Sequence, residues 1–334
     1  MTNPFERIKG LPKVEEIEEI AFRRASESAK KIPFHVNKLV TAKKREKARI
    51  QTLCANIERY FKTSLEIIEA LEKADIFYRQ FARIFFPDEE VKRARGKIIS
   101  SIRIVRKLSG EYLRKIDRVS NVNQFLIVRK KAYGRMASVL KRGKKQIELV
   151  REIWLTMRKL PTISRNTPTI VVAGPPNVGK SSLVRKVSTA KVEVASYPFT
   201  TKEISIGHFT YEKRKYQIMD TPGLLDRPME KRNLIEKKTI ICLRHAADLI
   251  VFMFDVSGER YYSVREQINL YMDIKSIFEG RTVIPVINKV DAVEKEDDIH
   301  EIEKAVNLEC LKISVKKGWG IKRLIKEVSL KTSR

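Results

Sequence analysis

At 334 residues the chain is long enough for two domains, each with a hydrophobic core of its own. It opens Met1-Thr2-Asn3-Pro4-Phe5-Glu6-Arg7, without the apolar stretch of a signal peptide. No apolar run approaches the roughly 18–20 residues of a membrane span, and Cys54, Cys242 and Cys310 are scattered with no C-x-x-C pair, so neither a disulfide framework nor a zinc site is indicated. A cytoplasmic protein with no membrane partner is expected, each cysteine serving as a small buried hydrophobe. The formal net charge of +28 is the unusual feature.

That charge is unevenly spread. Residues 1–165 hold 40 Lys/Arg against 19 Asp/Glu, whereas residues 166–334 hold 29 against 22. Between 91 and 165 there are 22 basic residues and only four acidic ones, Glu111, Asp117, Glu148 and Glu152. A thermophile's habit would raise Lys and Glu together; a polyanionic partner explains the imbalance better.

In chain order, the first half reads as helical throughout, with no strand-like alternation before 165. The acidic stretch Val14–Ile20 leads into a first helix carrying Ala21-Phe22-Arg23-Arg24-Ala25-Ser26 and ending before Pro33. From Ile50 onward, Leu53, Ile57, Tyr60, Ser64, Ile67 and Leu71 keep a three-four spacing, one face of a helix in a bundle. Pro87 followed by Asp88-Glu89-Glu90 marks a helix start, Gly110 is expected to break that helix, and Asn121 to Gln124 can form a capping box. The last two helical segments pair an apolar stripe (Phe125, Val128, Ala132, Met136, Val139, then Ile147, Val150, Trp154, Met157) with basic runs. Arg129, Lys130, Lys131, Lys141, Arg142, Lys144 and Lys145 are the candidate nucleic-acid contacts, set against the alternative of a merely solvated face.

Pro161 to Pro168 reads as a linker, separating a basic helical domain (1–165) from a second domain (166–334). There strands at 169–173, 204–211, 214–219, 249–255, 282–287 and 308–314 alternate with helices at 230–245, 263–279, 297–306 and 321–329. The expected fold is an α-helical bundle followed by a Ras-like α/β P-loop domain, a mainly parallel sheet with helices on both faces.

The motifs fall at the strand ends. Gly174-Pro175-Pro176-Asn177-Val178-Gly179-Lys180-Ser181 is the G-x-x-x-x-G-K-S phosphate loop between a buried strand and a helix, and Ser182 follows it. Its glycines turn backbone N–H groups toward phosphates, Lys180 reaches the β/γ-phosphates, and the Ser181 hydroxyl binds Mg²⁺. Tyr197-Pro198-Phe199-Thr200-Thr201-Lys202 is the first switch. One of its two threonines completes the Mg²⁺ shell, with Thr200 preferred and Thr201 left open. In Asp220-Thr221-Pro222-Gly223, Asp220 holds Mg²⁺ through water and the Gly223 N–H senses the γ-phosphate. Asn288-Lys289-Val290-Asp291 carries a carboxylate that accepts from guanine N1–H and N2–H₂, groups adenine lacks, and the loop Ser314-Val315-Lys316 offers an N–H to guanine O6. The phosphate loop, Asp220–Gly223, Asn288–Asp291 and Ser314–Lys316, in this order, name GTP or GDP with Mg²⁺ as the ligand and GTP hydrolysis as the reaction. Lys180, Thr200 and Gly223 carry the catalysis. Leu224 stands where Ras-like enzymes place the water-orienting glutamine, so no side-chain base is assigned and a slow intrinsic rate is expected.

The set YPFTTK, Gly207-His208, DTPGLLDRP (Asp220 to Pro228) and NKVD resembles the Obg-related GTPases. With the AFRRAS segment and the basic helical domain in front, the whole chain resembles the nucleolar GTP-binding family, Nog, in an archaeal-length form. Eukaryotic members carry a further C-terminal extension, so nucleolar targeting is not expected to carry over. The resemblance implies a GTPase of large-ribosomal-subunit assembly that docks on ribosomal RNA and subunit precursors, and a monomer is expected. Related GTPases hold K⁺ with an asparagine at the position of Asn177, which makes a potassium-stimulated reaction an expectation here. Two other readings stand beside this one. A signal-recognition-type GTPase also has a helical bundle in front but carries T-K-x-D. The third is an assembly marker whose hydrolysis is incidental.

Overall fold

The computed structural model describes residues 3–163, 167–196 and 203–332. The chain divides into two compact units: Pro4–Ala74 with Ala82–Arg158 forms one, and Asn3, Asp75–Phe81 and the chain from Lys159 onward form the other.

Among the described residues before 164 there are six helices and no strand: α1 (Val14–Lys30), α2 (Lys38–Lys73), α3 (Ile76–Phe85), α4 (Asp88–Asp117), α5 (Val122–Arg142) and α6 (Lys144–Met157). Ala21, Ala25 and Ala29 recur every four residues on α1 and are buried, so their small side chains let the helix lie close against α2. The three-four stripe of α2 is buried along its length from Ile50 to Leu71, and its one polar member, Ser64, returns its hydroxyl to the Tyr60 carbonyl at 3.0 Å. Helices α4, α5 and α6 close on α2 through Ile98, Val105, Met136, Leu140, Ile147 and Val150. Burial of such side chains contributes roughly 1.5–3 kcal/mol each.

Two local expectations fail in this unit. Gly110 does not break a helix, because α4 runs through it to Asp117. A glycine inside a helix costs only about 0.5–1 kcal/mol, and the buried neighbours Leu108, Ser109, Tyr112 and Ile116 offset that. Asn121 does cap α5, but its side chain accepts from the Asn123 N–H at 3.0 Å and no reciprocal bond from Gln124 closes a box.

The other unit is built on β1 (Thr169–Ala173), α7 (Lys180–Val187), β2 (Glu193–Ser196), β3 (Glu203–Tyr211), β4 (Arg214–Asp220), α8 (Leu234–Ala246), β5 (Leu249–Asp255), α9 (Val264–Ile277), β6 (Thr282–Asn288), α10 (Glu296–Val306), β7 (Leu311–Lys312) and α11 (Ile321–Thr332). Its sheet has the order β2-β3-β4-β1-β5-β6-β7. β4, β1, β5, β6 and β7 pair in parallel, and β2-β3-β4 is an antiparallel ribbon at one edge. The β3–β4 hairpin turns through Glu212 and Lys213, both left-handed (φ 47° and 64°), the form that suits the right-handed twist of a two-residue hairpin. Ile170, Val172, Val251 and Met253 pack on Leu183 and Val184 of α7 and Leu324 and Val328 of α11. The alternate residues Phe252 and Phe254 meet Tyr271 of α9 at ring distances of 5.3 and 5.6 Å. Helices therefore cover both faces.

Three boundaries differ from the sequence reading. β2 has no counterpart there; it is a four-residue edge strand whose only pairing is to β3. β7 is two residues long, much shorter than the expected strand at 308–314. Residues 230–233 precede α8, which starts at Leu234 because Asn233 and Glu236 form a reciprocal capping box.

Candidate nucleotide-binding site

Strand β1 is buried at all five positions, and the loop that leaves it is shaped by its glycines. Gly174 has φ 140°, and a Cβ there would lie 2.4 Å from the Met253 carbonyl oxygen of the neighbouring strand, so no other residue fits. Gly179 has φ 101°, and its missing Cβ leaves room for the Asn288 amide, which would be 2.8 Å away. Asn177, at the exposed tip, is left-handed at φ 61°. Pro175 and Val178 are buried, Pro176 is half-buried, and Ser182 lines the cleft from the first turn of α7.

The Lys180 side chain folds back over this loop. Its ammonium donates to the Gly174 and Pro175 carbonyls at 2.9 and 2.8 Å. Burial pushes its pKa down, while the Asp226 and Asp220 carboxylates act in the opposite direction. An ammonium held by two neutral carbonyls can exchange them for phosphate oxygens, which are stronger acceptors.

Asp220 ends β4 fully buried, and its Oδ2 accepts from the Ser181 hydroxyl. Its Oδ1 is buried without a hydrogen-bond partner, and burial raises its pKa. A hydroxyl and a carboxylate in contact, one oxygen orphaned, fit a hard divalent cation such as Mg²⁺. Ser181 and Asp220 would hold such an ion, which would supply positive charge against the phosphates. Thr200 and Thr201, with the rest of the 197–202 switch, lie outside the described residues. The Gly223 N–H donates to Asp226 Oδ2 at 2.9 Å. Leu224 and Leu225 are fully buried apolar side chains.

At the far end the structure brings three motifs around a cleft of about 950 Å³. Asn288 is a buried strut: its amide donates to the Val178 carbonyl at 2.7 Å, and its Oδ1 accepts from the Val315 N–H at 3.1 Å, tying the phosphate loop to the 314–316 loop. Lys289 is left-handed, and its ammonium pairs with Asp255 at 2.6 Å. Asp291 lines the cleft, and a hydrogen bond with Ser314 holds its carboxyl below the usual range. Ser314 is buried, with Val315 and Lys316 on the cleft wall.

Sequence reasoning missed Asp255, Ser257 and Asp226. A signal for Asp255 exists, since it ends an apolar strand as Asp220 and Asn288 do.

The basic candidates of the helical unit separate into two groups. Arg129 pairs at 2.8 Å with the buried Glu46, Lys141 with Glu18 at 3.2 Å, and Lys144 with Glu15 at 2.5 Å. Lys130, Lys131, Arg142 and Lys145 are exposed and make no ion pair among the described residues. Phe22 of α1 stacks on Tyr133 of α5 at 5.1 Å beside Lys130 and Arg142.

Residues 5–164 match the NOG1 N-terminal helical domain, and residues 169–289 match the family described as 50S ribosome-binding GTPase. An uncharacterized protein of Methanocaldococcus jannaschii is 34% identical over 88% of this chain and 83% of its own. Nucleolar GTP-binding protein 1 of Arabidopsis thaliana is 30% identical over 90% of this chain, and that of Drosophila melanogaster 34% identical over 70%. The chain spans only 45% and 36% of those two eukaryotic relatives. A crystal structure of a nucleolar GTP-binding protein 1 from Plasmodium falciparum is 36% identical, covering 52% of this chain and 90% of that one, with a TM-score of 0.47. No helix among the described residues is long and apolar enough to cross a membrane. With both halves matched and most of the archaeal relative spanned, the chain belongs to the nucleolar GTP-binding, or Nog, family and is a guanine-nucleotide-binding GTPase.

Proposed function

We propose that the chain acts in assembly of the large ribosomal subunit, as a cytoplasmic monomer that binds ribosomal RNA through its helical unit in a manner governed by GTP. The observation that carries this is the one-sided charge of residues 91–165, with Lys130, Lys131, Arg142 and Lys145 exposed and in no ion pair among the described residues. Neutralising phosphates releases counterions, the dominant source of affinity for nucleic acid. The names of the relatives and of the matching family, nucleolar and 50S ribosome-binding, support the same reading.

In this reading Lys180 contacts the β- and γ-phosphates and the Gly223 N–H the γ-phosphate. Ser181, Asp220 and Thr200 hold Mg²⁺, Asp291 reads guanine N1–H and N2–H₂, and the 314–316 loop reads O6. Asn177 holds K⁺, so exchanging Na⁺ for K⁺ at fixed ionic strength raises the hydrolysis rate and Asn177→Ala flattens that response. The signal-recognition alternative gains no observation. An assembly marker with incidental hydrolysis differs from a true catalyst in multiple turnover with and without ribosomal particles.

The deciding experiment sediments the full chain with large-subunit particles in the presence of GDP or a non-hydrolysable GTP analogue. Co-sedimentation that depends on the nucleotide is the expected result. A chain left in the supernatant in both states sinks the proposal.

A further inference from the structure

The Gly223 N–H stands where a γ-phosphate would be sensed, yet its hydrogen bond goes to this chain's own Asp226, 2.9 Å away at Oδ2. The other oxygen of that carboxylate, Oδ1, is buried with no hydrogen-bond partner. Asp226 shares its surroundings with the phosphate loop, since its charge acts on Lys180, Asp220 and Arg232. Its aim is set by the backbone on either side. The Leu224 N–H donates to the Thr221 carbonyl at 3.1 Å, the Leu225 carbonyl accepts from the Gly174 N–H at 3.1 Å, and both leucine side chains are fully buried.

We propose that Asp226 is a built-in competitor for the γ-phosphate, an anion of the chain that occupies the γ-phosphate's N–H donor and so sets a preference for GDP over GTP. GDP has no group that reaches this donor and leaves Asp226 in place. GTP brings a second anion to the same N–H and the same lysine, and one N–H cannot serve both. Like charges at close range disfavour each other, so binding GTP requires Asp226 to turn away.

The neighbours of Asp226 are tied to the next helix. Arg227, the next residue, forms a forked pair with the buried Glu236 at 2.8 and 3.0 Å, and the Arg232 guanidinium donates to the Arg227 carbonyl. Glu236 closes the capping box that starts α8. Movement of Asp226 therefore pulls directly on the first turn of α8, an element outside the nucleotide cleft. This inference rests on the γ-phosphate role proposed above for the Gly223 N–H and stands apart from the ribosomal reading.

The test is direct binding of GDP and of guanylyl imidodiphosphate, both with Mg²⁺, to the full chain. Couplings of this kind amount to roughly 5- to 150-fold, and the unmodified chain is expected to prefer GDP within that range. Asp226→Ala removes the competing anion and abolishes most of the preference. Asp226→Asn keeps an acceptor for the Gly223 N–H without the charge and gives an intermediate ratio. Retained GDP binding reports that a variant is folded. Equal affinities of the unmodified chain for the two nucleotides overturn the proposal without any variant. A ratio unchanged in both variants, or weaker analogue binding in them, overturns it as well, the last result making Asp226 a support of the γ-phosphate.

Discussion

Lys180, in the phosphate loop of the sheet-containing unit, is 7% exposed and donates to two backbone carbonyls. Lys144, on α6 of the helical unit, has a side chain 46% exposed and paired with Glu15 at 2.5 Å. The same residue type shifts in opposite directions in the two places. Burial lowers the pKa of Lys180, and the hydrogen bond to Glu15 raises that of Lys144. The contrast extends to each unit as a whole. Around the nucleotide cleft, Asp220 and Asp255 at the carboxyl ends of strands and Lys180 at the start of α7 are buried, each with defined partners. On the helical unit, apart from the buried Glu46 with its arginine partners, charges pair across exposed helix faces, as in Lys47–Asp117 and Arg106–Glu58. A buried charge that loses its partner is costly, whereas an exposed pair contributes little. One unit thus fixes its charges residue by residue, and the other carries most of them exposed.

Substitutions should expose that difference in descending order of effect. The largest is at Asp291. A polar site that leaves a ligand's groups unpaired rejects it by about 10⁴–10⁵-fold, so Asp291→Asn should lose GTP and gain xanthosine triphosphate, whose base presents the opposite pattern. Undiminished GTP affinity in a titration of the variant would show that this loop does not read the base. Next comes Lys180→Ala. Truncating one partner of a buried charged interaction costs about 2–5 kcal/mol, which should appear as a loss of GTP affinity by calorimetry. A variant that binds GTP normally would place the phosphate-binding group elsewhere.

In the helical unit single changes should be small and grouped ones visible. Replacing Lys130, Lys131, Arg142 and Lys145 together by Ala should weaken ribosomal RNA binding. It should also flatten the slope of log affinity against log salt by roughly 0.7–0.9 for each phosphate that is no longer neutralised. Replacing the ion-paired Lys141 and Lys144 should change that slope less, and a filter-binding salt series in which the two sets behave alike would erase the distinction between them.

The smallest effect concerns Glu58, whose carboxyl is lowered to about 2, mainly by its hydrogen bond from Arg106 and then by that from Lys62. A carboxylate lowered in the folded state stabilises it above the ordinary pKa of 4.5 and ceases to do so as pH falls toward about 2. Glu58→Gln should therefore melt slightly below the unmodified chain at neutral pH, with the gap closing in acid. A gap that is constant with pH would assign it to packing instead.

Much of the fold is legible in the sequence where the signal is local. The stripe from Leu53 to Leu71, the buried TIVVA strand and the glycines of the phosphate loop each state their conformation within about ten residues. Helix ends and edge strands are harder to read. A lone Gly110 resembles a break until the burial of the helix around it is known, and the short strands β2 and β7 are held by their partners and lack a strong pattern of their own.

What the sequence determined by itself is the chemistry of the GTPase site. The phosphate loop, the Asp220–Gly223 turn and the Asn288–Asp291 loop are short motifs whose geometry depends on nearby backbone. What only the tertiary structure decided is which charges are spoken for. Glu15 reaches Lys144 across 129 positions of sequence, Asn288 braces Val178 across 110, and Asp226 is brought by a turn and its anchoring bonds onto the Gly223 N–H. Those pairings depend on helix faces and strand ends meeting in space. A hydrogen bond or close ion pair needs its two groups within about 3–4 Å of each other, so these pairings are invisible to the order of residues along the chain.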